Sequence, residues 1–375
     1  MKTTFLLPTY PWKPLGGFRT VYEHANNLVD SGHEVVIVHT PVNPKLEPSA
    51  PVYNKLKRKA GYFRNLLLYG KVRMFPPEIK WQAIDTRIKM LYVPHPTSRY
   101  IPDSDVVFAT FWPTAEYVAG YPSDKGRKFY FVQDFFPYLG TQEKIETSWK
   151  LPLKKIAIST WLYELAIQSG VKKEDIIVAP CGIDLKRFKC TNSIVKRPKK
   201  IGMFYSTASY KAPEDGLKAI EMVKTQYPDV EIVFYGPQRK PADIPHYIQY
   251  YSNIPEEELI ELYNDCSLFL SSSIAEGFAL PPAEAMACGC AVVATDSGGI
   301  REYAHHGTNA LISPPHDPDA LAKNLMRLLQ NETMRIELAK RGQELINEFT
   351  WKHSTEILLN FIIKNTHYVT RKKLD

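Results

Sequence analysis

Several sequence features common to other protein classes are missing from this chain of 375 residues. It has no apolar run near the roughly 18 residues that a membrane-spanning helix needs. Its start, "MKTTFLLPTYPW", has one lysine and then an apolar run shorter than the ~7 residues of a signal-peptide core. We interpret it as the first strand of a cytoplasmic protein. The pattern G-x-G-x-x-G is also missing, which argues against a nicotinamide-dependent dehydrogenase, a class with similar sheets.

Cysteines are few and charge is modest. The five cysteines are an odd number, and only Cys288 and Cys290 lie close together in the sequence. Their C-G-C spacing fits neither a zinc site nor a redox C-x-x-C pair, so small buried thiols are expected. The formal net charge of +7 suits an anionic substrate or an anionic membrane surface. It does not require nucleic acid, and we expect none as a partner.

Short apolar strands alternate with longer segments along the whole chain. The opening "TTFLLPTY", a helix that ends at Gly32 and the strand "HEVVIVHT" form a β-α-β unit, which begins a parallel sheet. Further strands are predicted at "DVVFAT", "KFYFVQD", "KIAIS" and "IIVAPCGI", and in a second run at "KIGMFYS", "VEIVFYG", "SLFLSSS" and "AVVATD". The length exceeds one ordinary core, so we predict two doubly wound α/β domains, 1–182 and 183–350. The polar, basic stretch 181–200 is interpreted as the linker between them.

The second run contains a candidate site in "SSSIAEGFALPPAEAMACGCAVVAT", residues 271–295. A strand ends there and a helix begins, and open α/β sheets bind ligands in such crevices. Unpaired backbone N–H groups at the helix start favour anions, and Gly277 allows close backbone approach. Glu276 in the loop suits sugar hydroxyls, and Glu284, placed in the first helical turn, suits a ribose diol. The alternative is that Glu284 is a surface residue that only complements the helix dipole.

The segment "SSIAEGFALPPAEAMACGCAVVATDSGGIREYAHHGTNALISP" closely resembles the E-x7-E region of retaining glycosyltransferase family four. The likeness extends to the "GG" after the first strand and to "SGHEVVIV", "AIST", "CGIDLKRF" and the closing "FTW". The resemblance implies the GT-B fold, with two Rossmann-like domains facing a deep interdomain cleft. It also implies an acceptor-side first domain, a donor-binding second domain, and a last helix, about 351–375, that returns to the first domain.

The resemblance assigns roles to the residues of this loop. Glu276 would contact hydroxyls of the transferred sugar, and Glu284 would hold the nucleotide ribose. The backbone N–H groups of Phe278, Ala279 and Leu280 would approach the sugar or the diphosphate. Ala279 stands where the family usually has glycine, which narrows the backbone conformations available.

Two positions after the strand "KIGMFYS" complete the donor site that the resemblance implies. Lys211 matches the family's diphosphate-binding lysine, and a point cation suits a leaving group whose negative charge grows. The alternative is a solvated loop lysine. Ser206 stands where the family usually has arginine, so half of the usual cationic clamp is missing.

The first domain contributes a second group of candidates. Gly16 and Gly17 match glycines that line the diphosphate, and the alternative is a simple tight turn. Gln133, followed by Asp134, stands where the family commonly has histidine. An amide cannot act as acid or base, so Gln133 is expected to face the cleft and to hydrogen-bond a sugar hydroxyl.

Two further segments leave alternatives open. Asp103 and Asp105 form a D-x-D pattern typical of metal sites in another glycosyltransferase fold, and we do not favour that interpretation. The basic and aromatic segment 53–73 suits contact with anionic membrane lipid or a lipid-linked acceptor. The alternative is an amphipathic helix that covers the sheet.

The resemblance implies a metal-independent, retaining hexosyltransferase without a cofactor. It would move a hexose or deoxyhexose from a nucleoside diphosphate sugar to a hydroxyl of a carbohydrate or lipid-linked acceptor, in polysaccharide, glycan or glycolipid assembly. Glu276, Lys211 and Gln133 are the expected catalytic residues. The protein would be cytoplasmic, or peripheral to the inner face of the membrane. The alternative is a non-catalytic nucleotide-sugar-binding protein of the same fold, because Ser206 and Gln133 depart from the pattern.

Overall fold

The chain divides into two compact units in a computed structural model that describes residues 1–12, 16–42, 54–133, 135 and 142–366. The first unit comprises Met1–Pro180 together with the chain from Trp351 onward, and the second unit is Cys181–Thr350. We predicted the boundary after residue 182, and the structure has it after Pro180. Asp134 and residue 53 lie outside the described residues, as do the side chains of residues 54–62.

The first unit is built on a seven-stranded sheet with the order β3-β2-β1-β4-β5-β6-β7, in which every pair is parallel. The strands are β1 (Lys2–Leu7), β2 (Glu34–His39), β3 (Lys89–Tyr92), β4 (Val106–Ala109), β5 (Arg127–Val132), β6 (Lys154–Ala157) and β7 (Ile176–Val178). The helices are α1 (Gly16–Asp30), α2 (Asn54–Met74), α3 (Trp112–Ala119), α4 (Gln142–Trp149), α5 (Thr160–Gln168) and, from the end of the chain, α11 (Trp351–Thr366).

The central strands of this sheet contain buried apolar runs, such as residues 5–7 of β1 and the whole of β4, because helices cover both faces. Phe5 on β1 stacks on Phe108 of β4 with ring centroids 4.8 Å apart, and both are fully buried. The last helix closes the unit: Nδ1 of His24 on α1 lies 2.9 Å from Oγ1 of Thr355 on α11. The end of the chain therefore completes the core that its start begins.

The second unit has a six-stranded parallel sheet with the order β10-β9-β8-β11-β12-β13. Its strands are β8 (Lys200–Phe204), β9 (Glu231–Gly236), β10 (Ile248–Ser252), β11 (Leu268–Ser271), β12 (Ala291–Thr295) and β13 (Ala310–Ser313). Its helices are α6 (Pro213–Gln226), α7 (Glu256–Asp265), α8 (Leu280–Ala287), α9 (Pro318–Gln330) and α10 (Glu332–Ile346). Two doubly wound parallel sheets confirm the predicted fold class.

The stretch 181–200 is not a free linker, and that interpretation was wrong. Arg197 is buried, and its guanidinium donates to the carbonyl oxygens of Cys266 at 2.9 Å and Cys288 at 2.5 Å. Phe188 and Ile194 are also buried in the second unit. The prediction was wrong because a basic composition suggested an exposed segment. Arg197 is buried inside the second unit, and only the basic residues around it, such as Lys196 and Lys199, are exposed.

Residues 54–73 of the basic and aromatic segment 53–73 form most of helix α2, one face of which packs on the first unit. Val72 is fully buried, and Nδ2 of Asn65 donates to the carbonyl of Pro41 at 3.3 Å. Phe63 and Leu67 point outward and are 63% and 62% exposed. The helix therefore covers the sheet, as one alternative predicted, and also presents an apolar surface. In the described part of the chain, no helix is long and apolar enough to cross a membrane.

Each sheet has one point where the strand order reverses direction. In the first sheet it lies between β1 and β4, and in the second between β8 and β11. Loops after these strands diverge to opposite faces of the sheet and leave a crevice at the carboxyl ends, where such folds bind ligands. Gly16 and Gly17 follow β1, Lys211 follows β8 and Glu276 follows β11, so the topology places these residues at the two reversal points. Gln133 follows β5, the neighbour of β4 in the sheet.

Candidate active site

Lys211 and Glu276 meet at the reversal point of the second sheet. Lys211 lies in the loop after β8 and Glu276 in the loop after β11, and the ammonium Nζ forms an ion pair with Oε1 of the carboxylate. Their side chains are only 14% and 11% exposed. Two residues 65 positions apart are thus brought into contact by the strand order.

The loop after β8 and the loop after β11 are also joined by hydrogen bonds to backbone carbonyls. The Ser272 hydroxyl donates to the carbonyl of Lys211 at 3.0 Å, and the Ile274 N–H donates to the carbonyl of Tyr210 at 2.8 Å. The Lys211 ammonium also lies over the rings of Phe204 and Tyr210, 5.3 and 5.4 Å from their centroids. These contacts fix the position of the charge and exclude the simple solvated-loop interpretation of this lysine.

The loop that begins at Glu276 is held from its other side by the segment after β12. The Glu276 N–H donates to the carbonyl of Ser297 at 2.8 Å, and the Gly299 N–H donates to the carbonyl of Glu276 at 3.1 Å. A Cβ at position 299 would lie 2.2 Å from the carbonyl oxygen of Gly277. Only glycine at position 299 permits this approach. The glycine pair 298–299 therefore lets the segment after β12 pack against the loop that precedes α8.

The backbone turns sharply where this loop enters α8. Ala279, the residue before the helix, has φ 70° and ψ 70°, the left-handed conformation that glycine adopts freely. For a residue with a Cβ that conformation costs roughly 1–2 kcal/mol. Leu280 is the first helical residue, and Pro281 and Pro282 follow it without N–H groups. The first turn of α8 therefore has few backbone N–H groups. Those nearest to the start of the helix belong to Phe278, Ala279 and Leu280, which precede the prolines.

Glu284 is buried, with 6% of its surface exposed, and it is the fifth residue of α8. It was predicted in the first helical turn and lies one residue beyond that turn, because the helix begins at Leu280. The surface interpretation was wrong too. The hydroxyl of Tyr263 on α7 donates to Oε2 of Glu284 at 3.4 Å and is itself bonded to the hydroxyl of Tyr235 at the end of β9. A buried carboxylate backed by hydroxyl groups is suited to ligand contact, since burial of a charge needs compensating hydrogen bonds.

Tyr303 lies behind the same loop and has no exposed surface. Its hydroxyl donates to the carbonyl of Ala279 at 2.5 Å, and its ring packs on Phe278 with centroids 5.2 Å apart. Burial raises the pKa of Tyr303 well above its usual value, and the charges of Glu276 and Glu284 add to the rise. A hydrogen bond from the backbone of Ala283 opposes it. The phenol is therefore neutral and a donor.

A small recess opens at the end of β11. Its volume, about 250 Å³ including space open to solvent, lies below the roughly 300–1,000 Å³ of ordinary ligand pockets. It would therefore hold only part of a nucleotide sugar. The lining residues are Phe204, Lys211, Phe269, Leu270, Ser271, Ser272, Ser273, Glu276, Pro281 and Pro282.

Ser206 belongs to the loop after β8, as predicted from its sequence position. Its hydroxyl accepts a hydrogen bond from the Ala208 N–H at 3.3 Å, which stabilises a turn within that loop. A serine hydroxyl carries no charge. The loop after β8 therefore has one cation, Lys211, and not the two that an arginine in place of Ser206 would give.

The first unit brings Gln133 and Gly17 together. Nε2 of Gln133, which follows β5, donates to the carbonyl of Thr110 after β4 at 2.9 Å. A Cβ on Gly17 would lie 3.2 Å from Oε1 of Gln133, so glycine leaves room for the amide. Oε1 is buried and has no hydrogen-bond partner among the described residues. Gly16 is the exposed first residue of α1, and its carbonyl accepts from the Thr20 hydroxyl at 3.3 Å.

Asp103 and Asp105 lie at the amino end of β4, opposite the edge that carries Gln133. Asp103 pairs with Lys125 at 2.6 Å, and the Asp105 carboxylate accepts from the backbone N–H of Lys2 at 2.7 Å. Within the described ranges, no cluster of three or more histidine, cysteine, aspartate or glutamate side chains is arranged to hold a metal ion.

Three contributing residues were missed by the sequence interpretation. Tyr263 backs Glu284, Tyr303 bonds the loop, and the Thr110 carbonyl fixes Gln133. For Tyr303 a signal existed, because it directly follows the "GGIRE" stretch that belongs to the recognised pattern. Tyr263 and Thr110 carry no such signal, since only the packing of α7 and the neighbouring strand brings them to the site.

Comparisons with known proteins show which family part of this chain resembles. Residues 186–345 match the family model described as glycosyl transferases group 1. O-antigen chain mannosyltransferase B of Escherichia coli is 32% identical over 30% of this chain and 29% of its own length. D-inositol 3-phosphate glycosyltransferase of Corynebacterium jeikeium is 27% identical over 49% of this chain and 50% of its own length. The chain thus matches half or less of these relatives' length.

Solved structures agree over nearly the whole chain. HepE of Anabaena, in complex with UDP and glucose, superposes with a TM-score of 0.71 at 17% identity, covering 96% of this chain and 98% of HepE. Sucrose-phosphate synthase from Thermosynechococcus elongatus gives a TM-score of 0.70 at 16% identity, covering 98% and 99%. The chain therefore has the GT-B fold of two Rossmann-like units, and its residues 186–345 are similar to glycosyl transferases group 1.

Proposed function

We propose that the protein is a glycosyltransferase that moves a hexose or deoxyhexose from a nucleoside diphosphate sugar to an acceptor hydroxyl with retention at the anomeric carbon. The observation that carries the proposal is the Lys211–Glu276 pair at the reversal point between β8 and β11. A cation and a carboxylate side by side suit a substrate that has a diphosphate next to a polyol. The mannosyltransferase and inositol glycosyltransferase relatives support a hexose and a glycan or lipid-linked acceptor.

Each side chain has a defined part in this proposal. Lys211 would leave Glu276 to neutralise the diphosphate, whose negative charge grows as the bond to the sugar breaks. Glu276 would then accept hydrogen bonds from sugar hydroxyls, and Glu284 from the ribose. The acceptor oxygen would attack the anomeric carbon from the face that the diphosphate leaves. The departing diphosphate oxygen would take the acceptor proton, so no side-chain base is required.

The proposal includes no metal and no cofactor. Lys211 and the backbone donors that precede Pro281 would supply the positive field that a divalent ion supplies elsewhere. Transfer should therefore continue in EDTA at an unchanged rate. Loss of activity in EDTA, with recovery on addition of manganese or magnesium, would contradict this part of the proposal.

The decisive experiment is a donor screen followed by product analysis. HepE was solved with UDP-glucose, so UDP, UDP-glucose and the corresponding guanosine compounds are the first probes. A ligand at 100 times its dissociation constant stabilises a protein by about 2.7 kcal/mol, which thermal shift detects. Release of nucleoside diphosphate, with NMR of the anomeric proton in the product, tests transfer and retention together. Binding without any release, even by slow hydrolysis, would favour the alternative of a non-catalytic nucleotide-sugar-binding protein.

We also propose that α2 contacts an anionic membrane surface, where a lipid-linked acceptor would reside. Four apolar side chains between the middle of this helix and the residue just beyond its end are 62–71% exposed: Phe63, Leu67, Met74 and Phe75. Exposed Arg64, Lys71 and Arg73 lie among them. An exposed apolar face with basic residues is typical of interfacial helices, because lipid receives the rings and anionic headgroups receive the charges.

Vesicle sedimentation tests this contact. The protein should pellet with vesicles that contain phosphatidylglycerol and remain in the supernatant with pure phosphatidylcholine. The double variant Phe63→Ser/Leu67→Ser should lose most of the binding. Val195→Ser is the matched control, since Val195 is 51% exposed in the second unit. Equal pelleting of both variants and the wild type would contradict a role for α2.

A further inference from the structure

The left-handed residue before α8 is held by one side chain from another element. The hydroxyl of Tyr303 donates to the carbonyl of Ala279 at 2.5 Å, and Tyr303 follows β12 in the chain by eight residues. The hydroxyl thus binds the carbonyl of the residue that directly precedes Leu280, the first residue of α8.

Ala279 adopts a conformation that its own side chain disfavours. Its φ of 70° is one of four positive values at non-glycine residues in the described chain. Such a residue returns to the right-handed or extended region unless the surrounding contacts hold it. Phe278 is anchored by its ring against Tyr303 and Phe349, and Gly277 is pressed against Gly299. The Tyr303 hydroxyl contacts Ala279 directly, through its carbonyl oxygen.

The orientation of this peptide matters because prolines follow it. Pro281 and Pro282 cannot donate, so the N–H groups near the start of α8 that can reach a ligand belong to Phe278, Ala279 and Leu280. A change of φ and ψ at Ala279 rotates the peptide that carries the Leu280 N–H. The direction in which the Leu280 N–H points therefore depends on the backbone conformation of Ala279.

We infer that Tyr303 is a positioning residue of the donor site, which holds Ala279 in its left-handed conformation so that the backbone N–H groups before Pro281 point at the diphosphate. This inference rests on the proposed function, because the diphosphate is the anion that those donors would bind. Tyr303 does not itself touch the substrate. Its buried hydroxyl acts through the carbonyl of Ala279.

Two substitutions test the inference together. Tyr303→Phe keeps the ring against Phe278 and removes only the hydroxyl, so the fold should persist. We expect its dissociation constant for UDP or GDP, whichever the wild type binds, to rise about tenfold. In the double variant Tyr303→Phe/Ala279→Gly the left-handed conformation needs no support, since glycine adopts it freely. Its dissociation constant should return to within about threefold of the wild type.

Tyr10→Phe is the matched control, because Tyr10 is also buried and its hydroxyl also donates to a backbone carbonyl, that of Val93 at 3.0 Å. It should bind the nucleotide as the wild type does. An unchanged dissociation constant in Tyr303→Phe would overturn the inference, as would a double variant no better than Tyr303→Phe. A wild type that binds neither UDP, GDP nor any other nucleoside diphosphate would overturn the proposed function itself, and the inference with it.

Discussion

The ion pair between Lys211 and Glu276 is the central feature at the scale of single residues. Both side chains are largely buried, and a buried charge that loses its partner is costly. A bound diphosphate and sugar would replace each partner with an opposite charge or with hydroxyl groups. The pair therefore holds both side chains in place without ligand, and under the proposed function it would exchange contacts when the donor binds.

Glu276→Gln should lower turnover by about a hundredfold, the scale of loss for a fixed electrostatic contact to the reacting centre. Its affinity for the free nucleoside diphosphate should not fall, because the amide releases Lys211 from its partner. Steady-state kinetics and calorimetry on the same preparation separate the two effects. If affinity and turnover fell by equal factors, Glu276 would have a structural role only.

Gln133 is the second residue whose contacts predict a measurable result. Its Nε2 donates to the Thr110 carbonyl, and no described residue donates to its Oε1, which can therefore accept a hydrogen bond from a ligand. Gln133→Ala should lower turnover about ten- to a hundredfold, equal to about 1.4–2.7 kcal/mol of transition-state stabilisation. Gln133→Glu should be worse, because a carboxylate cannot donate to that carbonyl and would repel it. Kinetics with a soluble acceptor decide this, and wild-type turnover in both variants would show that Gln133 does not reach the sugar.

Helix α8 shows at the scale of an element how a short helix is fixed at both ends. Ala279 and Tyr303 hold its start, and Gly289, with φ 87°, ends it in the left-handed conformation. The guanidinium of Arg197 then binds the carbonyl of Cys288 at 2.5 Å. Glu284 lies between these anchors, so the helix presents a buried carboxylate in a fixed position.

Arg197→Met should destabilise the second unit by on the order of 3 kcal/mol, because the carbonyls of Cys266 and Cys288 would lose their buried donor. Scanning calorimetry measures the loss in the transition of that unit. Lys196→Met is the control: the side chain is adjacent but exposed, so its effect should stay within about 0.5 kcal/mol. An equal effect of both substitutions would argue against a stabilising role for the hydrogen bonds from Arg197 to these two carbonyls.

At the scale of the whole molecule, the two units differ in their content of tryptophan, the residue that dominates protein fluorescence. All six tryptophans lie in the first unit: Trp12, Trp81, Trp112, Trp149, Trp161 and Trp351. Tryptophan fluorescence therefore reports unfolding of the first unit alone. Two units need not unfold in a single transition, so this separation is useful.

The first unit should lose stability as the pH falls from 7 to 5. Burial lowers the pKa of His24 to about 3 and that of His39 to about 4, against about 6.5 when unfolded. Between those values the unfolded chain binds protons that the folded chain does not, so acid favours unfolding. Each histidine should contribute about 2 kcal/mol over this range. Urea titrations followed by tryptophan fluorescence measure it.

His24→Phe is the matched variant for this prediction, since a phenyl ring can stack on Phe131 as the imidazole does, at a centroid distance of 5.2 Å. It should reduce the pH dependence of the free energy of unfolding by about 2 kcal/mol between pH 7 and pH 5, whatever its stability at pH 7. A pH dependence equal to that of the wild type would show that His24 does not titrate as its burial implies.

The sequence by itself determined the fold class and the main part of the candidate site. Buried parallel strands are continuous apolar runs, so the central strands of both sheets were visible, and each site residue follows one of them. Three strands were missed, namely β3, β10 and β13, and all three are edge strands. An edge strand such as β3 or β10 needs less apolar surface, so its sequence resembles that of a loop.

Only the tertiary structure decided which residues meet. The pairing of Lys211 with Glu276 follows from strand order, and the burial of Glu284 follows from α7 packing over α8. Tyr303 reaches Ala279 only because the segment after β12 returns over the loop after β11. Such contacts join residues far apart in the chain, and their physical basis is the three-dimensional packing of neighbouring elements, which no local pattern of residues contains.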